Sequence, residues 1–248
     1  MAVVSPKTVV VVPTYNERDN LPVLAGLLAD LPVPNLHLLV VDDNSPDGTG
    51  EIADKLAAEA PETVGVLHRD TKDGLGRAYL AGMTRALDEG ADVVIQMDAD
   101  LSHPASVIPA LIDTLLTSNA GAVIGSRYVP GGSTASEWPW SRRALSAWAN
   151  TYVNAILRLR LKDSTAGFKA WRAGTLRAIG LNSVRSNGYS FQVEMNYRAV
   201  QRGFTVLEVP IRFEERGQGA SKMSLGVQLE SALTPWRLRF GGRRGADG

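Results

Sequence analysis

The stretch "VVIQMDADLSHP" (93–104) ends an apolar run in two carboxylates, Asp98 and Asp100, followed by a Ser-His-Pro break. Alternate residues of an extended chain point the same way, so the i, i+2 spacing turns both acids toward one ligand. A strand can end in Asp merely to meet water or cap a helix. Other runs in the chain end in a similar way, which argues for more. "TVVVVPTYNE" (8–17) stops at Pro13 and carries Tyr15, Asn16 and Glu17, and "HLLVVDDNSPDGT" (37–49) ends its apolar part in Asp42 and Asp43. A further run, "AGAVIGSR" (120–127), ends in Ser126 and Arg127. Acids gathered on one edge repel unless a cation or hydrogen-bond donors offset them. A hard divalent ion with the hydroxyl groups of a nucleoside and a sugar meets that need, since Mg²⁺ takes one or two carboxylates plus phosphate oxygens.

Such residues need elements that hold them at one edge. The pattern predicts strands within 8–17 (stopped by Pro13), 37–49 (its apolar part, before the turn), 63–69, 92–100 and 120–127, separated by helices over 19–31, 49–60, 74–90 and 104–118, with Asp19 or Asn20 as the first cap. Apolar runs alternating with helices imply an α/β fold, a mostly parallel sheet covered on both faces. In such sheets ligands bind outside the carboxyl ends of the strands. Past Gly131 the pattern changes: helices are expected at 142–161, 173–180 and 189–202, a strand within 204–215, and a basic amphipathic tail over 223–240. A single domain is expected over 1–248, with a nucleotide-sugar half at about 7–130 and an acceptor half at about 131–240.

Composition narrows the classes. Lys plus Arg number 26 and Asp plus Glu 26 in 248 residues, a balance that argues against a dedicated nucleic-acid binder. There is no cysteine, hence no disulfide or thiolate metal site. The opening "MAVVSPKTVVVVPTYNE" does not read as a signal peptide, and no run reaches membrane-spanning length. A cytoplasmic protein, touching membranes only peripherally, is expected. "GLGRAY" lacks the third glycine of a dinucleotide fingerprint and no Walker A sequence occurs. His37, His68 and His103 are too scattered for a zinc motif, and His103 reads as a turn-packing residue.

In order along the chain, "PTYNERDNLP", "VVDDNSPDGT", "GLGRAYLAGM", "MDADLSHP", "GSRY", "DSTAGFKAWR", "GYSFQVEMNYRA" and "EVPIRFEERGQGASK" resemble the family 2 glycosyltransferases of GT-A fold, nearest to the polyprenol- and dolichol-phosphate mannose synthases. The resemblance implies mannosyl transfer from GDP-mannose to a polyprenyl phosphate, inverting at the anomeric carbon, with Mg²⁺ or Mn²⁺. It places Pro13, Tyr15 and Glu17 in the nucleotide pocket, Val41 and Asp43 near the base, and Asp98, Ala99 and Asp100 at the nucleotide sugar. Asp100 becomes the chief metal ligand, with Asp98 beside it and Ser102 where some relatives carry a ligating Gln. Arg127 is implied at phosphate, and Arg216 and Lys222 in an anion clamp on a loop to which Gly217 and Gly219 give hinge freedom. Ser164 and Thr165 are candidates for the acceptor phosphate.

A lipid acceptor requires a bilayer surface. Leu145, Trp148, Tyr152, Ile156 and Leu159 fall at helical spacing, flanked by Arg142, Arg143, Arg158 and Arg160, as in an interfacial helix or equally a core-facing one. "PWRLRFGGRR" adds a basic-aromatic patch, and a separate membrane protein could serve as anchor. Three alternatives stay open: another activated sugar such as UDP-glucose on the same lipid, a hydroxyl acceptor served by Glu194 as base, and a non-catalytic nucleotide-sugar sensor.

Overall fold

A computed structural model of the chain describes residues 5–135, 139–214 and 225–241. Among these residues seven strands form one sheet. In chain order they are β1 (Thr8–Thr14), β2 (Leu36–Asp42), β3 (Val64–His68), β4 (Val93–Gln96), β5 (Ala120–Ser126), β6 (Lys169–Arg172) and β7 (Thr205–Pro210). The helices are α1 (Asn20–Ala29), α2 (Thr49–Glu59), α3 (Leu75–Asp88), α4 (Ile108–Thr117), α5 (Trp140–Leu157), α6 (Ala173–Ile179), α7 (Gly188–Gln201) and α8 (Leu225–Gly241).

The sheet order is β3-β2-β1-β4-β6-β5-β7. Every pairing is parallel except those of β6, which runs antiparallel between β4 and β5. The pattern of apolar runs did not mark "FKAWR" as a strand, so the parallel expectation holds for the sheet with this one insertion. β6 and β7, from the second half of the sequence, interleave with β5 from the first.

β1 is buried along its whole length. Val10 and Val12 pack into one core with α1, α2 and α4, while Val9 and Val11 pack into the opposite core with α3, α6 and α7. This period-2 division is how a strand serves two helical layers. Gly82 lets α3 lie close on the sheet: a Cβ there would collide with Val11 and stand 2.7 Å from Val41 Cγ2. A third cluster joins Ile124, Val153, Ile156, Leu157, Leu159 and Val193 under α5 and α7.

α5 departs from the expected stripe. It ends at Leu157, and Arg158 turns the chain with φ 55°. Ile156 and Leu159 enter the third cluster, whereas Leu145 and Trp148 are each 60% exposed. One half of the helix is thus core and the other surface. α8 lies against α5: Tyr152 Oη donates to the Ala232 carbonyl at 2.8 Å, Trp236 Nε1 donates to Tyr152 Oη at 2.8 Å, and Arg239 reaches the Ile156 carbonyl.

Candidate active site

Parallel pairing brings the carboxyl ends of β1, β2 and β4 to one edge, with Thr14 level with Asp42 and Val11 level with Gln96. Beyond Gln96 the chain runs into Asp98 and Asp100. Asp98 accepts a hydrogen bond from Tyr79 Oη at 2.6 Å on Oδ1, and its backbone N–H donates to His103 Nδ1 at 3.1 Å. Asp100 Oδ1 accepts from Ser102 Oγ at 2.6 Å and from the Ser102 N–H at 3.1 Å. Between them Leu101 adopts φ 62°, a conformation that costs a non-glycine residue about 1–3 kcal/mol. That turn carries Ser102 back onto Asp100. Each acid therefore has its own donor fixing one oxygen.

Tyr79 is fully buried on α3 and stacks on Phe191 with ring centroids 5.9 Å apart. Burial, then the charges of Asp98 and Asp100, push its phenol well above the ordinary range, so it remains an O–H donor. On the far side of the carboxylate a Cβ at Gly167 would stand 3.5 Å from Asp98 Oδ2 and 3.4 Å from His103 Cε1. The glycine of "STAGF" thus borders Asp98 at van der Waals distance.

A cleft of about 290 Å³ opens at this edge. It brings together Pro13, Tyr15, Glu17, Asp43, Asp98, Ala99 and Asp100, all expected there, and adds Thr14, Lys72, Leu75 and Ala78, which the sequence reading did not single out. Lys72 Nζ sits 3.4 Å from the centre of the Tyr15 ring. Val41, expected near the base, turns its side chain into the core beneath α3, as the alternation of β2 dictates, and is not among the residues lining the cleft.

The two acids of "VVDD" differ. Asp42 braces the strand ends, accepting from Thr14 Oγ1 at 2.9 Å, Ser45 Oγ at 2.6 Å and the Ser45 N–H at 3.1 Å. Asp43 faces the cleft and is ion-paired to Arg69. Its pKa is raised by burial, which the Arg69 charge opposes without cancelling. Glu17 does two jobs. Its carbonyl accepts the Asn20 and Leu21 N–H groups at the start of α1, and its carboxylate accepts from Asn20 Nδ2 at 2.7 Å while lining the cleft. Asp19 occupies the cap position without a capping hydrogen bond.

Arg127, expected at phosphate, is not among the residues of this cleft; Asp163 takes its guanidinium in a two-pronged pair, Nε to Oδ2 and Nη2 to Oδ1, both at 2.7 Å. Thr165 Oγ1 accepts from Nη2 at 3.0 Å. Asp163 is fully buried, and its N–H donates to Glu208 Oε1 at 2.8 Å. Arg127 instead lines a second cleft of about 530 Å³ with Tyr128, Ser133, Thr134, Arg143, Ala144 and Ala147. Aromatic contacts connect the two clefts: Phe213 stands 5.5 Å from the Arg127 guanidinium and edge-on to His103 at 5.8 Å. His103 also stacks on Phe168 at 5.1 Å, the turn-packing role expected of it.

Ser164 is buried, its hydroxyl donating to Asn150 Oδ1 at 2.9 Å, so that side chain holds α5 rather than facing a ligand. Glu194 is buried too. It accepts from Arg198 Nε at 2.8 Å, the Ser186 N–H at 2.9 Å and the Arg185 N–H at 3.3 Å, a role that ties α7 to the preceding loop. Arg216 and Lys222 lie outside the described residues.

Asp98 and Asp100 suit a hard divalent cation. They offer carboxylate oxygen alone, and among the described residues no group of three or more His, Cys, Asp or Glu encloses a metal. Such a pair leaves most of the coordination shell to phosphate oxygens and water, as Mg²⁺ and Mn²⁺ accept. Ser102, whose hydroxyl is turned to Asp100 Oδ1, positions that acid.

The chain matches known proteins in sequence and in fold. It is 48% identical over 236 residues to the polyprenol monophosphomannose synthase of Mycolicibacterium smegmatis, covering 94% of this chain and 88% of that one. It is 49% identical over 234 residues to the undecaprenyl-phosphate mannosyltransferase of Micrococcus luteus, covering 94% of each. Its fold resembles that of glucosyl-3-phosphoglycerate synthase from Mycobacterium tuberculosis, solved with Mg²⁺ and UDP, with a TM-score of 0.68 at 16% identity over 94% of this chain and 79% of that one. The model of the family described as "Glycosyl transferase family 2" matches residues 9–180, a span that contains the acid pair and its Tyr79 and Ser102 braces. With strand-end acids, fold and sequence in agreement, the chain belongs to glycosyl transferase family 2.

Proposed function

We propose that the chain transfers mannose from GDP-mannose to a polyprenyl phosphate, inverting the anomeric carbon. The observation that carries this reading is the braced Asp98–Asp100 pair in a cleft joined through His103 and Phe213 to a second, arginine-lined one. The mannosyl relatives, aligned over nearly the whole chain, support the sugar and the lipid phosphate. The first cleft takes the nucleotide sugar, and the second, with Arg127 and Arg143, takes the acceptor phosphate.

The acceptor is a phosphate monoester whose second pKa is about 6, so the attacking oxygen is anionic near neutral pH. Its bond to C1 of mannose forms as the C1–oxygen bond to GDP breaks, and the electron pair leaves on the diphosphate. No proton has to be removed. Glu194 and Asp163 fit that absence of a base, since both are buried in structural ion pairs. The protein's work is orientation and charge stabilisation. Asp98, held by Tyr79, orients donor hydroxyls, and Asp98 and Asp100 would hold Mg²⁺ or Mn²⁺, which would supply positive charge to offset that of the departing diphosphate.

The acceptor's lipid tail places the second cleft at a bilayer. Trp140 (81% exposed), Leu145, Trp148, Leu233, Trp236 and Phe240 present apolar surface on α5 and α8. Arg143 stands on the same helix as Trp140 and Trp148. Aromatics with nearby cations suit the lipid headgroup layer. No helix among the described residues is long and apolar enough to cross a membrane. We assign a peripheral position at the membrane surface.

Offering GDP-mannose and UDP-glucose with polyprenyl phosphate tests the reading. Organic-soluble β-linked mannosyl phosphate is the expected product. Exclusive use of UDP-glucose would replace the donor assignment, and transfer only to sugar hydroxyls would replace the acceptor assignment.

A further inference from the structure

Gln96, the last residue of β4, and Lys169, the first of β6, are directly paired across the antiparallel ladder. Both side chains are fully buried, and both end on one atom. Gln192 Oε1, from α7, accepts from Gln96 Nε2 at 2.7 Å and from Lys169 Nζ at 2.9 Å. Lys169 Nζ also donates to the Gln192 carbonyl at 3.2 Å. Gln192 thus clasps the two strands together at their shared end.

Donors and acceptors fix which way each amide points. The Trp171 indole nitrogen can only donate, and it gives its N–H to Gln96 Oε1 at 3.3 Å. The Gln96 amide then turns its nitrogen to Gln192, and Gln192 turns its oxygen to Gln96. The Gln192 nitrogen is left facing the other way. It stands 3.6 Å from the point a Gly167 Cβ would occupy, and Asp98 Oδ2 borders that point at 3.5 Å. Neither amide can flip alone without leaving a buried donor or acceptor unmet.

An ammonium sealed in a core is costly, and apolar side chains would join two strands at lower cost. The place of the clasp shows what it gains. Because β4 and β6 are antiparallel, the chain leaving Gln96 and the chain entering Lys169 emerge at the same edge. Beyond Gln96 come Asp98 and Asp100. Just before Lys169 comes Phe168, stacked on the His103 ring that accepts the Asp98 N–H. Further back are Asp163 and Thr165, which hold Arg127. The clasp therefore ties the strand that carries the acid pair to the strand that leads in from the holders of Arg127. Gln192 itself lines neither cleft. We infer that Gln192 is a positioning residue for the transfer: through Gln96 and Lys169 it fixes the acid pair of the first cleft relative to the segment that holds Arg127 in the second. A displacement of about 1 Å between reacting groups can cost about a hundredfold in rate, so this spacing bears on turnover. The inference rests on the two-cleft transfer reading.

The experiment measures kcat and KM for GDP-mannose with polyprenyl phosphate and Mn²⁺, and GDP affinity by calorimetry. The proteins are wild type, Gln192→Met, Lys169→Met and the double variant, with urea unfolding to give each folded fraction. Lys169→Met removes the buried charge, so it should fold even if Gln192→Met, which strands that charge, does not. Each single change should lower kcat per folded molecule at least about tenfold, with KM for GDP-mannose and the Kd of GDP within about twofold of wild type. The double variant should be no slower than the slower single one, because both changes cut the same clasp. Wild-type kcat in folded Lys169→Met would overturn the inference, as would a slowdown fully explained by unfolded protein. A loss of GDP affinity equal to the loss of rate would also overturn it, placing Gln192 at the donor instead. In all three cases wild-type turnover keeps the transfer reading. Should wild type move no mannose to polyprenyl phosphate, the transfer reading falls and this inference with it.

Discussion

Tyr79 and Asp98, nineteen positions apart, meet through a 2.6 Å hydrogen bond from a fully buried phenol to the first carboxylate of the acid pair. The contact depends on α3 lying close to β1 and β2, which Gly82 permits. Tyr79→Phe keeps the ring stacked on Phe191 and deletes only the donor. Losing a hydrogen bond to a charged group is worth about 1.5–3 kcal/mol. Activity, kcat/KM, should fall by about tenfold or more while the folded core persists. Steady-state kinetics beside a thermal melt checks this; full activity in the Phe variant would remove Tyr79 from the positioning of Asp98.

Lys169 gives a pH signature. It is completely buried on β6, donating to Gln192 Oε1 at 2.9 Å and to the Gln192 carbonyl at 3.2 Å. Burial pulls its pKa down from 10.5 to about 7, although Asp163 pushes the other way. The unfolded chain therefore binds more protons than the folded one between about pH 7 and pH 10.5, and stability rises with pH across that window. The slope from this one group is at most about 1.4 kcal/mol per pH unit. In urea unfolding at pH 6.5 and pH 9.5 (about the two ends of the window), Lys169→Met should gain on wild type at the lower pH and lose that advantage at the higher. A pH-independent difference would show that Lys169 keeps its charge in the fold.

Glu194→Gln separates structure from chemistry. The change weakens the ion pair to Arg198 and should cost about 1.5–3 kcal/mol of stability. Turnover per folded molecule should stay near wild type. Urea unfolding together with active-fraction kinetics measures both, and a fully folded but inactive variant would revive a hydroxyl acceptor with Glu194 as base.

The membrane assignment predicts that Trp140→Ser with Trp148→Ser weakens binding to anionic vesicles and leaves the melting temperature nearly unchanged, since both rings are largely exposed. Tyr152 is a poorer probe because it clasps α8 through Ala232 and Trp236. Vesicle sedimentation reads the outcome; unaltered binding would move the contact away from this half of α5.

Much of this was legible in the residues because it was local. Apolar runs ending in acids marked β1, β2 and β4, and the parallel pattern brought Tyr15, Glu17, Asp43, Asp98 and Asp100 to one edge. What escaped depends on distant partners. β6 is four residues long and half charged, and Lys169 reads as strand only because Gln192 satisfies it. Arg127 follows β5 as a phosphate ligand would, but nothing beside it in the sequence announces Asp163, thirty-six positions on, which holds its guanidinium. Tyr79 looks like an ordinary core aromatic on an amphipathic helix, and nothing beside it in sequence announces Asp98. Lys72 sits in a polar connection whose approach to Tyr15 appears only once β1 and β3 are placed around β2.

On the proposed mechanism the braced acid pair drives mannosyl transfer to a lipid phosphate. Radiolabelled GDP-mannose, polyprenyl phosphate and Mn²⁺ incubated with wild type and with Asp100→Ala, followed by organic extraction, test it directly. Label is expected in the organic phase for wild type, with at least about a thousandfold slower appearance for a folded Asp100→Ala, the scale of about 4 kcal/mol of lost stabilisation. Label confined to the aqueous phase with wild type, or an Asp100→Ala rate close to wild type, would contradict it.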